Sequence, residues 1–256
     1  MNEDAIERLY DEFHTPVHVR AHCLQVARVG RLLAEKLAEN NENVDPELVW
    51  IAGLAHDFIR VVDFKDIPAD LGDTEDHLVW KKIRETYSGH HAEIGADILE
   101  EIGEEVLAKI IRKHKHAAIQ DDPPKTWEEK IIYYADKRVT HNDIVDVAER
   151  LDEGFARHFP GQEVPSDEIK RREKITVLEK EIFDKIDLEP QGFRPWHHPG
   201  RGQLGRHPRE ARRHPRPAGR GQAAWPAAHQ DFGRTACGGH ALRRALPLDH
   251  AGHDDG

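Results

Sequence analysis

At 256 residues, a third of them charged and with a mean hydropathy of −0.74, the chain has room for one sizeable domain, or one plus an appendage. No apolar run approaches a membrane span, Met1-Asn2-Glu3-Asp4 is acidic where a secretory leader is basic, and Cys23 and Cys237 are the only cysteines. These features speak against a membrane partner and a disulfide framework, and for a cytoplasmic protein. The net charge of −11 divides into −17 over residues 1–190 and +6 over 191–256. So acidic a body disfavours duplex nucleic acid, whose phosphates need a basic surface.

In chain order, apolar residues recurring at three and four predict helices over Glu3–Phe13, Val17–Glu39, Pro46–Val61, His77–Thr86, His90–Ile102, Glu104–Lys115, Trp127–His141, Asn142–Phe159 and Asp167–Ile186. Asp45-Pro46 opens the third, Gly103 separates two others, Asp121-Asp122-Pro123-Pro124 is a breaker, and Ser166 offers an N-cap. No strand-like alternation is sustained, so the expected fold is an all-α bundle over 1–190. From 191 onward the chain holds eleven of the 19 Gly and seven of the 15 Pro but no Ile or Val. Such a stretch cannot build a core that offsets ordering entropy. Residues 191–256 therefore read as a disordered Arg/Gly/Pro/His-rich tail or an out-of-frame translation; an intact frame in the source DNA, with the same tail encoded by related genes, would exclude the latter.

Within the helical region, metal-ligand residue types interrupt apolar stripes. His22 lies with Val19, Val26, Val29 and Leu33, and His56-Asp57 falls inside Trp50–Val62, with Asp57 in line with Trp50, Leu54 and Val61. His91 shares a face with Gly95, Ile98 and Ile102, His114 follows Leu107, Ile110 and Ile111, and Asp136 sits between Ile132 and Val139. One buried His-Asp pair is ordinarily a satisfied core pair. Five helices each carrying such a residue are better explained by a shared metal site. Four ligands suit one ion; six with one bridging carboxylate suit two ions roughly 3.5–4 Å apart, an arrangement that activates water and stabilises phosphoryl oxygens. Arg60 and Lys137 stand close enough to meet substrate phosphates, or are simply solvated cations. His90 and His116 lie off the stripes and read as surface residues. His14, His18, His77, His141 and His158 read as structural.

The segments His22-Cys23-Leu24-Gln25-Val26-Ala27, Ala52-Gly53-Leu54-Ala55-His56-Asp57, His91-Ala92-Glu93-Ile94-Gly95-Ala96, Ile110-Ile111-Arg112-Lys113-His114 and Tyr134-Ala135-Asp136-Lys137 together resemble the HD-domain metal-dependent phosphohydrolases, over roughly Val17 to Asp146. The resemblance implies a basic metal site of His22, His56, Asp57 and Asp136, a second ion added by His91 and His114, and a bridging role for Asp57. It is most similar to the branch that hydrolyses dinucleoside polyphosphates, and more loosely to that acting on cyclic dinucleotides. Arg60 stands where many members have the lysine of His-Asp-Ile-Gly-Lys, and Val61–Ser88 has no counterpart in the family pattern.

The expected activity is hydrolysis of a phosphate ester or anhydride, in a nucleotide or dinucleotide, by metal-activated water. The expected cofactor is one or two divalent transition-metal ions, iron or manganese first, with magnesium, cobalt, nickel or zinc as alternatives. Arg60 and Lys137 are expected to bind substrate and, with Asp57, to serve catalysis. Two rival readings are a di-iron HD-fold oxygenase and a non-catalytic nucleotide-sensing module.

Overall fold

The computed structural model describes residues 1–192, and the reading of 191–256 as a tail falls outside them except for its first two residues. The helices are α1 (Glu3–Glu12), α2 (Val17–Glu39), α3 (Pro46–Ala55), α4 (Thr74–Thr86), α5 (His91–Glu101), α6 (Glu105–Arg112), α7 (Ala118–Asp121), α8 (Trp127–Asp136), α9 (Val147–His158) and α10 (Ser166–Phe183). A 3₁₀ turn spans Arg60–Asp63 and a short hairpin pairs β1 (Val139–Thr140) with β2 (Asp143–Ile144). The fold is all-α. Among the described residues no helix is long and apolar enough to cross a membrane.

α2 is the central element, packed against α3 and α8, while α5 packs on α6. Its buried stripe runs through Val26, Val29, Leu33 and Leu37, all fully enclosed. Each such side chain stabilises the fold by about 1.5–3 kcal/mol relative to exposure. The α2–α3 approach is close because position 53 has no side chain: a Cβ there would lie 2.4 Å from the Cα of Ala27.

Local chemistry sets the element ends. Asp45 Oδ1 accepts from the amides of Glu47 (2.9 Å) and Leu48 (3.1 Å), capping α3 with Pro46 in its first turn. A capping box between Asp73 and Asp76 starts α4 at Thr74, one turn before the hydrophobic pattern begins. Gly103, with φ +83°, terminates α5, as its sequence position suggests. Ser166 is not the cap of α10: Pro165 occupies that place in extended conformation, and Ser166 is already helical.

Three predicted boundaries move furthest. α3 stops at Ala55 rather than Val61, because side chains take its terminal carbonyls. Tyr10 Oη donates to Leu54 O (2.5 Å), His56 Nδ1 to Gly53 O (2.8 Å) and, just beyond, Thr15 Oγ1 to Phe58 O (2.6 Å). Trp50 consequently does not share a buried face with Asp57; its indole donates to Glu3 Oε1 at 2.9 Å. α8 stops at Asp136, Lys137 and Arg138 turn the chain into the hairpin, and His141, whose φ of 54° is left-handed, sits in the turn between its two strands. α9 therefore begins at Val147 rather than Asn142.

Candidate metal centre

The ends of α3, α5, α6 and α8 meet the N-terminal half of α2, and this brings the six sequence-selected residues into one cluster. His56 is the C-cap of α3, with Asp57 next to it. His91 is the first residue of α5, His114 follows the last turn of α6, and Asp136 is the last residue of α8. His56, Asp57, His91 and His114 are buried; His22 and Asp136 are partly open.

Asp57 lies in the middle. Its Oδ1 is 2.7 Å from His91 Nε2 and 3.3 Å from His114 Nε2, and its Oδ2 is 3.8 Å from His56 Nε2. Asp136 Oδ1 is 3.1 Å from His22 Nε2 and 3.8 Å from His56 Nε2. Ligand atoms of His22, His56 and Asp57 lie within 4.8 Å of one another, as do those of Asp57, His91 and His114, so Asp57 is common to two potential cation positions.

The tautomers can be read from the partners. Nδ1 of His22 faces the carbonyl of His141 (3.2 Å), that of His56 the carbonyl of Gly53 (2.8 Å) and that of His114 the carbonyl of Ile111 (2.5 Å). A carbonyl only accepts, so each Nδ1 carries a hydrogen, and in the neutral ring each Nε2 presents a lone pair inward. His91 reaches the same state through the carboxylate of Asp63, 2.5 Å from its Nδ1. His91 Nε2 and His114 Nε2 then stand 2.8 Å apart as two facing lone pairs. His56 Nε2 and Asp57 Oδ1 are buried without a hydrogen-bond partner. Buried acceptors of this kind are costly unless something shares their electrons, and a divalent cation fits the donor set.

The electrostatics point the same way. Burial drives His114 down to about 3, keeping it neutral. Burial also works against the charge on Asp57, but His91, His56 and Arg60 outweigh it and hold the carboxyl well below its usual range. Lys137, His22 and His56 do the same for Asp136. Burial opposes charge on His56 too, yet Asp57 beside it, with Cys23 and Asp136, raises it well above the ordinary imidazole value. Two enclosed carboxylates among imidazoles attract positive charge to their midst.

The two cations selected from sequence are placed differently. Lys137 is 5% exposed, with Nζ 2.6 Å from Asp136 Oδ2 and 3.2 Å from the carbonyl of His114. It is turned to the carboxylate of Asp136 and the backbone after α6. Arg60, with a side chain 35% exposed, stands at the rim; its Nε is 3.9 Å from Asp57 Oδ2 and its Nη1 3.0 Å from Asp63 Oδ2. His90 is more than a surface residue. It caps α5, its ring centroid is 4.2 Å from that of His91, and with Asp63 and His91 it forms a third close grouping. Burial and His91 push it down to about 4. His116 pairs with Glu168 (3.0 Å), away from the cluster. Sequence reasoning passed over Asp63; an acid directly after Val61-Val62 was the available signal. It also had no means of finding the carbonyl of His141, a main-chain contribution.

Residues 19–140, which include all six clustered side chains, match the HD domain family. An uncharacterized protein of Methanocaldococcus jannaschii is 31% identical, over 56% of this chain and 80% of its own length. No solved structure matches the chain. With a helical fold, the family pattern across its core and a His/Asp cluster compatible with divalent metal, the chain belongs to the HD domain family.

Proposed function

We propose that this protein is a metal-dependent phosphohydrolase that cleaves a phosphate ester or anhydride in a nucleotide. The observation that carries the reading is the sharing of Asp57 between two groups of inward-facing nitrogens. His22, His56 and Asp136 would hold one ion with Asp57, and His91 and His114 a second. Ions so held lower the pKa of water and stabilise phosphoryl oxygens, whichever of iron, manganese or another divalent metal is present.

The chain's own residues do the rest. The main-chain carbonyls fix three imidazoles in the ligating tautomer, so little reorganisation is needed on loading. Lys137 holds Asp136 ionised and oriented. Arg60 offers a guanidinium at the rim, where it can pair with a non-bridging phosphate oxygen in a body that otherwise repels anions. Among nucleotides, the dinucleoside polyphosphates are the first substrates to assay, a choice that rests on the sequence resemblance. We place the catalytic domain at residues 1–190.

The test is elemental analysis of the full chain beside phosphate release from a nucleotide panel, for wild type and Asp57→Ala. Histidines beyond residue 192 can bind metal adventitiously, so the difference between the two proteins is what counts. Two ions lost in the variant together with all turnover supports the reading. Equal metal content, or hydrolysis that persists in the variant, overturns it. Substrate-dependent oxygen uptake without phosphate release would favour the oxygenase reading.

A further inference from the structure

Three of the four imidazoles in the centre are oriented by backbone carbonyls, whose positions the fold fixes. The fourth, His91, is oriented by a side chain. Asp63 Oδ2 lies 2.5 Å from its Nδ1, while Asp63 Oδ1 accepts the main-chain N–H of His91 at 3.2 Å. Arg60 contends for the same ring: its Nη1 is 2.6 Å from Nδ1 and 3.2 Å from Nε2, as well as 3.0 Å from Asp63 Oδ2. Arg60 and Asp63 bound one 3₁₀ turn, in which residues three apart eclipse, so both side chains address His91 from one edge.

We propose that Asp63 is a positioning residue that selects the metal-binding tautomer of His91 against the competing guanidinium of Arg60. A carboxylate only accepts, so Asp63, with the shorter contact to the ring (2.5 Å) and a second one to the His91 amide, holds the hydrogen of the neutral ring on Nδ1 against Asp57 Oδ1, 2.7 Å from Nε2, and leaves the Nε2 lone pair for the second ion. A guanidinium only donates. With Asp63 removed, Arg60 donates to Nδ1, one proton leaves Nδ1 for solvent and one joins Nε2, with no net change in charge. The nitrogen that should bind metal is then blocked by hydrogen. The residue that aids binding of the second ion and the residue that hinders it are thus neighbours on one turn. The proposal rests on the two-metal reading of the centre.

The test is calorimetric titration of metal-stripped full-length protein with Mn²⁺, together with the ¹⁵N spectrum of the imidazoles before metal is added. Wild type is expected to bind two ions. Asp63→Ala should leave the first affinity unchanged and weaken the second by about 10–100-fold, the usual effect of losing a partner behind a ligand. The double variant Arg60→Ala/Asp63→Ala should recover most of that loss, which a merely structural role for Asp63 would not produce. Asp66→Ala, an exposed acid on the same segment, should behave as wild type. The ¹⁵N signals of His91 should report Nδ1–H in wild type and Nε2–H in Asp63→Ala. If Asp63→Ala does not fold, Asp63→Asn, whose single carbonyl oxygen can satisfy only one of the two hydrogens, should show a smaller loss in the same direction.

Undiminished second-site affinity in Asp63→Ala, or a double variant as weak as the single one, would overturn the proposal. A wild type that binds fewer than two ions would remove the two-metal reading instead. The ¹⁵N spectra would then still decide whether Asp63 sets the tautomer.

Discussion

The two halves of the candidate metal centre are built differently. The half holding His22, His56 and Asp136 rests on α2, α3 and α8, whose mutual packing is the interior of the protein. The half holding His91 and His114 rests on the start of α5 and the turn after α6, and is closed by the segment that carries Arg60 and Asp63. Asp57 belongs to both. In the first half the geometry of the side chains is inherited from core packing, so it is hard to change without changing the fold. In the second it depends on a few side-chain contacts, so affinity there can vary while the fold stays the same.

The largest expected effect comes from the shared residue. Asp57→Ala should abolish binding in both halves and reduce turnover to background, while circular dichroism keeps its helical signal. Stripping metal from wild type should lower its melting temperature, because ligand bound only to the native state contributes about 2.7 kcal/mol at a hundred times Kd. A Tm indifferent to chelation would deny the coupling between centre and core.

Next comes Gly53→Ala, which drives a methyl into the backbone of Ala27. Overpacking of this kind costs about 1–3 kcal/mol or more. Denaturant unfolding should register that loss, and elemental analysis should show the first half impaired before the second. Tyr10→Phe should cost about 1–3 kcal/mol, since it leaves the buried carbonyl of Leu54 without its donor. The smallest effect is expected at Glu168→Ala, which removes the partner of His116, Arg171 and Arg172 outside the centre. It should cost about 1 kcal/mol and leave metal content unaltered. A loss of metal there would break the separation drawn between the centre and its surroundings.

The first half was also the more legible in sequence. The periodicity of α2 defines Val17–Glu39 to the residue, because a long helix buried along one stripe leaves an unbroken record. His22 and Asp136 stand out as polar interruptions of such stripes. What was not legible, in either half, depends on contacts that no periodicity carries. α3 ends where Tyr10 and His56 capture its carbonyls, and one of those donors comes from a different helix. The hairpin after α8 is two residues on each side, too short for alternation to register. Asp63 lies in a stretch with no motif to single it out, and its contacts with His91 exist only because the chain turns back onto α5.

The missing side chain at position 53 acts as a gauge. Gly53 lies one turn before His56, and Ala27 little more than one turn beyond His22, so the contact between them sets the span between two nitrogens that must face the same point. The obstruction to a methyl at 53 includes the Cα and N of Ala27, not its Cβ alone. Trimming Ala27 to glycine would therefore leave the clash in place, and Ala27→Gly should fail to rescue Gly53→Ala. The only relief is to move α2 and α3 apart, and that carries His22 away from His56. Position 53 thus has a single permitted residue, fixed by the separation of two helices that bring His22 and His56 to one cluster.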